Sequence, residues 1–160
     1  MSTRTPIFYS AVFILLKNEK GEYLLQKRQN TGYMDDCYDA SMSGHVEEHE
    51  SVYDAALREL SEEINVSAQT KDLELIMLTQ MDVDRQYLNY VFVCDHWHGE
   101  PQIMEPQKNS QLKWFAPDDI PTNATPTLML LRERNFQNDT SKVEYVNTDR
   151  FAKLCNGKET

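Results

Sequence analysis

Apolar and polar positions along this chain switch between two periods, and the switches mark its elements. Ile7–Lys17 is a nearly unbroken apolar run rich in β-branched and aromatic residues, the pattern of a central strand. Asn18-Glu19-Lys20-Gly21 is turn chemistry, and Glu22–Arg28 returns as a second strand. Gln29–Asp36 is a polar loop with a turn at Thr31-Gly32, and Cys37–Ser43 is a short extended piece leading to Gly44. The period then becomes helical: Tyr53, Leu57, Leu60 and Ile64 fall on one arc of a helix predicted over Val52–Ile64. Ser51 is its N-cap, with Asp54 at the capping-box position. Ala55 and Ala56 are small enough to admit another backbone or a ligand beside that helix.

Leu73–Val83 and Gln86–Trp97 read as strands paired across Asp84-Arg85. Gln111–Phe115 is a short strand stopped by the turn Ala116–Pro121, and Thr125 to about Phe136 is a second helix with Leu128, Leu130 and Leu131 as its apolar contacts. Strands around two helices predict an α+β fold, a mixed β-sheet between helices. One domain is expected over 1–160, with its core at about 7–136 and a polar tail, 137–160, that is partly loose.

Charge and cysteine usage narrow the partners. Twenty-six acidic residues against 16 basic ones leave a net charge of −10. A nucleic acid duplex and an anionic membrane both select a basic surface, so neither is expected as a partner. A small phosphorylated substrate stays compatible if metal ions bridge the two negative groups. Cys37, Cys94 and Cys155 are odd in number and widely spaced, which argues against a disulfide framework and a zinc site and for a reducing, cytoplasmic setting. The apolar run after Arg4 lacks an A-x-A-like cleavage site and is too short to span a bilayer.

The chemistry concentrates in GHVEEHESVYDAALRELSEEINV, Gly44 to Val66. On a helix Glu59 and Glu63 lie about 40° apart, with Glu62 about 60° to the other side of Glu59. Like charges at this spacing destabilise a helix, so a compensating positive partner is expected, and a hard divalent cation fits that role.

The arrangement G-x5-E-x7-R-E-(apolar)-x-E-E-x-G-(apolar) resembles that of the Nudix (MutT-like) hydrolases, and it is matched here from Gly44 to Val66. One departure is Asn65 in place of the last glycine. It follows the helix end, where positive φ is common and Asn is the usual non-glycine choice. Ser43 and Glu48-His49 also depart, where relatives often carry a second glycine and a Pro-Gly pair. The resemblance extends over about Ile7 to Arg132, including the segment Trp114-Phe115-x-Pro117-x-Asp119-x-Pro121.

The resemblance implies a Nudix fold and a Mg2+- or Mn2+-dependent pyrophosphohydrolase acting on a nucleoside diphosphate linked to a moiety X. A nucleoside or deoxynucleoside triphosphate leads, with a nucleotide sugar or ADP-ribose behind it. A Nudix-like domain that only binds a nucleotide is the alternative of another class. By resemblance Glu59, Glu62 and Glu63 are metal ligands, joined by the Gly44 carbonyl, and Glu59 or Glu62 takes a proton from water. Arg58 orients the array and also reaches Glu50. Lys27 and Arg28 are candidates for phosphate contacts, against a reading as solvated strand-end charges. Tyr33 and Tyr38 are candidates for stacking on a base, against packing. Glu105 sits where some relatives supply a further ligand, against a surface role. His45 and His49 enter as weak substrate candidates, while His96 and His98 read as structural or exposed. Family members are often homodimers, although no heptad or exposed apolar stripe points to one here.

Overall fold

A computed structural model describes residues 4–156; residues 1–3 and 157–160 of the expected domain and tail lie outside the described residues. The strand expected from the first apolar run is β1 (Phe8–Leu16). It is followed by β2 (Tyr23–Arg28), β3 (Tyr38–Asp39), β4 (Met42–His45) and α1 (Val52–Ile64). Then come β5 (Leu73–Asp82), β6 (Gln86–Cys94), β7 (Asn109–Phe115), α2 (Pro126–Glu133), β8 (Glu144–Val146) and α3 (Thr148–Cys155).

β1 is apolar on both faces because both faces are covered. Val12, Ile14 and Leu16 point into a cluster with Ala55, Ala56, Leu60 and Ile64 of α1. Leu15 points the other way, into a cluster with Leu128, Leu130 and Leu131 of α2 and Leu154 of α3. The five-stranded sheet runs β4-β1-β6-β5-β8, with β1 parallel to β6 and antiparallel to β4. The expected mixed sheet between helices is present.

The β5–β6 hairpin forms as expected, with Asp82 opposite Gln86. The return of β2 is different. β2 leaves β1 after a single bridge, Lys17 to Tyr23, and heads a separate sheet ordered β3-β2-β7. Cys37–Ser43, expected as one extended piece, crosses between the sheets: β3 pairs with β2, and β4 with β1. The two sheets diverge on either side of this crossing and leave a cleft between them.

Two expectations are narrowed. Of the two approaches expected at Ala55 and Ala56, another backbone is the one observed: both are fully buried against the sheet, where their small size serves close packing of helix on strand. The stretch after Gln137 is not simply loose: β8 pairs in parallel with β5, and α3 packs on α2. Neither element shows in the pattern, because a three-residue strand and an eight-residue helix are too short to form alone. They form through tertiary contacts. Val146 and Leu154 are buried, Asn147 caps α3 by accepting the Arg150 N–H, and Glu144 receives Arg134 at 2.9 Å and Arg150 at 3.1 Å.

Candidate active site

The acidic helix is defined at both ends as its sequence requires. The Ser51 side chain accepts the Asp54 N–H at 3.0 Å. At the other end Asn65 takes the left-handed conformation, φ 60° and ψ 36°, and its N–H returns to the Leu60 carbonyl. The Asn-for-glycine departure therefore keeps the cap geometry.

Between these ends Arg58 gathers the carboxylates. Its Nε and Nη2 donate to the two oxygens of Glu50 at 3.2 and 2.7 Å, a bidentate fork. Its Nη1 donates to Glu59 at 2.8 Å and approaches Glu62 at 3.4 Å, and Nη2 also reaches the His45 carbonyl at 3.1 Å. Glu50 in turn accepts the Glu47 N–H at 2.7 Å, which ties the loop entering α1 to the same guanidinium. The Arg58 hydrogen bonds hold the Glu50 carboxyl below its usual range. Arg58 itself is driven further toward the charged state, first by its hydrogen bond to Glu50.

Glu63 is set apart from these. Burial first, then the negative charges of Glu59 and Glu105, push its carboxyl up to about 8. Burial also raises Glu59, against the pull of Arg58. Glu105 arrives through two backbone bonds that satisfy the open end of α1: Gln102 N–H to the Ile64 carbonyl at 2.9 Å and Met104 N–H to the Glu63 carbonyl at 3.1 Å. These bonds bring a loop distant in sequence alongside the helix. Glu105 thereby lines the cleft, with its carboxylate 3.9 Å from the Lys108 ammonium.

Glu47, Glu59, Glu62, Glu63 and Glu105 border a cleft of about 1430 Å³ that continues between the two sheets. A family model for the NUDIX domain matches residues 8–135. The chain belongs to the NUDIX family. Among solved structures, this Nudix hydrolase is similar to a MutT NUDIX hydrolase from Burkholderia pseudomallei, at 24% identity and a TM-score of 0.70, over 81% of this chain and 98% of that one. It is also similar to the MutT protein from Methanosarcina mazei Go1, at 19% identity and a TM-score of 0.65, over 84% and 96% of the two chains. At these identities the likeness establishes the fold. A comparison with curated proteins gives no match. No helix among the described residues is long and apolar enough to cross a membrane.

The remaining site candidates separate. Arg28, Tyr33 and Glu105 line the cleft. Arg28 is already engaged, with Asp39 at 3.3 Å, the Tyr33 carbonyl at 2.9 Å and Thr31 at 3.2 Å. Lys27 faces away from it, as the alternation of β2 dictates, and places its ammonium over the Tyr38 ring. Tyr38 packs edge-on against Phe115 instead of lining the cleft. His45 lines the cleft with its Nε2 3.1 Å from the Tyr87 hydroxyl, and His96 is exposed beside Asp95. Among the described residues no three His, Cys, Asp or Glu side chains converge into a ready-made metal cage. The carboxylates splay, Glu59 toward Arg58 and Glu62 outward with its side chain 61% exposed. Missing from the sequence reading are Gln26, Asp39, Asn89 and Asn109, buried polar residues on the cleft walls, and Phe151 of α3. Polar residues within apolar strand patterns were their one available signal.

Proposed function

We propose that this Nudix hydrolase is a Mg2+- or Mn2+-dependent pyrophosphohydrolase. It splits a nucleoside diphosphate linked to a moiety X into a nucleoside monophosphate and phosphorylated X. The leading substrate is a nucleoside or deoxynucleoside triphosphate, giving the monophosphate and pyrophosphate. The observation that carries this reading is the crowding of Glu59, Glu63 and Glu105 at one end of the cleft, with Glu63 held up to about 8 by burial and by the other two.

Such a donor set fits a hard divalent cation, because oxygen ligands and excess negative charge are what that ion selects. Gly44 fits the same purpose: a Cβ there would fall 2.5 Å from Glu59 Oε1, so only glycine lets the carboxylate lie against β4. Glu59, Glu62, Glu63 and the Gly44 carbonyl would hold the ion. When bound, it neutralises pyrophosphate charge and lowers the pKa of coordinated water. Arg58 fixes Glu59 and, through Glu50, the loop that begins the helix. Glu62 is the freer of the two base candidates, since Arg58 touches it only at 3.4 Å and the side chain faces solvent. Glu62 is therefore assigned to accept the proton of the attacking water. The three free cysteines and the acidic surface suit a cytoplasmic enzyme with a soluble nucleotide as its partner.

The test is hydrolysis of a broad nucleotide panel by the purified protein with Mg2+, alongside Glu63→Gln. Hydrolysis by the wild type, with most activity lost in a folded Glu63→Gln, is the expected result. Tight nucleotide binding with no hydrolysis on the whole panel would replace the enzyme with a binding module.

A further inference from the structure

Two of the three thiols stand at the ends of segments that border the cleft. Cys37 closes the loop 29–36: the Arg28 N–H donates to its carbonyl at 2.9 Å, and its own N–H donates to the Met34 carbonyl at 3.2 Å. Cys155 is the last residue of α3, one turn beyond Phe151 and on the same face of that helix. Thr31, Gly32, Tyr33 and Met34 of the loop line the cleft, and so does Phe151.

The two segments share a support. Tyr38, the residue after Cys37, donates its N–H to the Asn123 carbonyl at 2.8 Å and accepts the Thr125 N–H at 2.9 Å, which ties it to the start of α2. α3 packs on α2 as well, and Tyr38 and Phe151 lie against the same core cluster as Leu128 and Leu131. Cys37 and Cys155, far apart in sequence, are thereby brought together. Each feels what lies around it. Burial first, then the charge of Cys37, raises the Cys155 thiol, and burial followed by the charge of Asp36 raises Cys37.

Exposure gives the two thiols different roles. Cys155 is exposed and Cys37 half-buried. Cys94 is excluded from the pair, because it is buried on the α1 side of the sheet and its thiol donates to the His96 carbonyl at 3.2 Å. Raised thiols hold little thiolate at neutral pH, so a bulk oxidant attacks them slowly. Once one sulfur has been oxidised, a neighbour already in place makes the second step fast.

We infer that Cys37 and Cys155 form a reversible disulfide that latches α3 to the loop 29–36 and makes the setting of Tyr33 and Phe151 depend on oxidant. The oxidant is a hydroperoxide. The Cys155 thiolate attacks one peroxide oxygen; an S–O bond forms, the O–O bond breaks, and hydroxide leaves to become water with the proton that Cys155 released. The Cys37 sulfur then attacks the Cys155 sulfur. The S–S bond forms as the S–O bond breaks, and the oxygen departs as a second water with the Cys37 proton. In sum two thiols lose two electrons and two protons, and hydrogen peroxide becomes two waters. A small thiol reverses the bond by exchange. Disulfides of this transient kind are the ones a reducing compartment allows. The latch goes beyond the hydrolytic reading and stands without it, since its readouts are chemical and structural.

The experiment treats wild type, Cys37→Ser and Cys155→Ser with equimolar hydrogen peroxide. Intact mass and a non-reducing tryptic map follow the bond, calorimetry follows Tm, and hydrogen exchange follows the loop 29–36 and α3. The expected result in wild type is an internal Cys37–Cys155 bond, with Tm raised by about 5–10 °C. Exchange in both segments should slow by about tenfold or more, and dithiothreitol should reverse all three changes. Neither variant should show any of them. No internal bond in wild type, a Cys155-linked dimer as the only product, or a Cys37–Cys155 bond that leaves Tm and exchange unchanged overturns the latch. Should Cys37→Ser fail to fold, Cys155→Ser, at the exposed position, decides alone.

Discussion

Gly44 and Glu59 occupy almost the same space: a Cβ on Gly44 would lie 2.3 Å from the Glu59 carboxyl carbon and 2.6 Å from its Cγ. Both positions are fixed, Gly44 by pairing with Val12 and Glu59 by α1 and by Arg58. Gly44→Ala must therefore displace the Glu59 side chain. Since a misplacement of about 1 Å can cost about 10²-fold in rate, kcat should fall on that order while the fold survives. Steady-state kinetics and circular dichroism on the same preparation check this, and wild-type kcat in Gly44→Ala would refute it.

Arg58→Lys tests the fork. A lysine keeps the charge but cannot grip both oxygens of Glu50 while also holding Glu59. The variant should lose more than tenfold in kcat/KM. It should also melt lower, because charge-assisted hydrogen bonds of this kind contribute about 1.5–3 kcal/mol each before solvent screening. Glu50→Gln should show the same direction with a smaller effect. Wild-type activity in Arg58→Lys would mean that charge alone organises the site.

His49 tests the loop before α1. It stands at φ 66°, in the left-handed region, at a position where relatives often carry the glycine of a Pro-Gly pair. A non-glycine residue there is strained, and glycine relieves the strain at some cost in unfolded-state entropy. His49→Gly should raise Tm by about 1–3 °C, measured by differential scanning calorimetry. A lower Tm would show that the imidazole contributes more than the backbone loses.

The contrast between Glu59 and Glu105 shows how far the sequence reaches. Glu59 is legible because its neighbours, cap and partners all lie within a local pattern with a helical period. Glu105 has no such frame: its place depends on two backbone bonds from its loop to the last carbonyls of α1. β2 is legible as a strand but not as the head of another sheet, because the Asn18–Gly21 turn does not specify which edge the chain joins next. α3 escapes for a related reason, since its capped, half-polar turns form only where β8 and α2 wait for them. Phe151 and Asn89 line one cleft although their local patterns say only helix and strand.

Glu63 supplies a pH dependence whose sign follows from its environment. Burial and the charges of Glu59 and Glu105 move its carboxyl from an ordinary 4.5 up to about 8. Between those values the metal-free folded protein holds a proton that the unfolded chain has released. Stability must then fall as pH rises through this window and level off above about 8. Glu59 is raised too and adds in the same direction, whereas Glu50, Asp35 and Asp139 are lowered and oppose it at the acid end. The difference from Glu63→Gln isolates the one group. In urea melts with a chelator, that variant should gain about 2 kcal/mol on wild type at pH 8 and little at pH 5, after discounting for solvent around a partly exposed carboxyl. Adding Mg2+ at pH 8 should stabilise wild type more than Glu63→Gln, because only the carboxylate can replace its proton with a cation. Equal pH slopes in the two proteins would show that Glu63 ionises like an ordinary surface carboxyl.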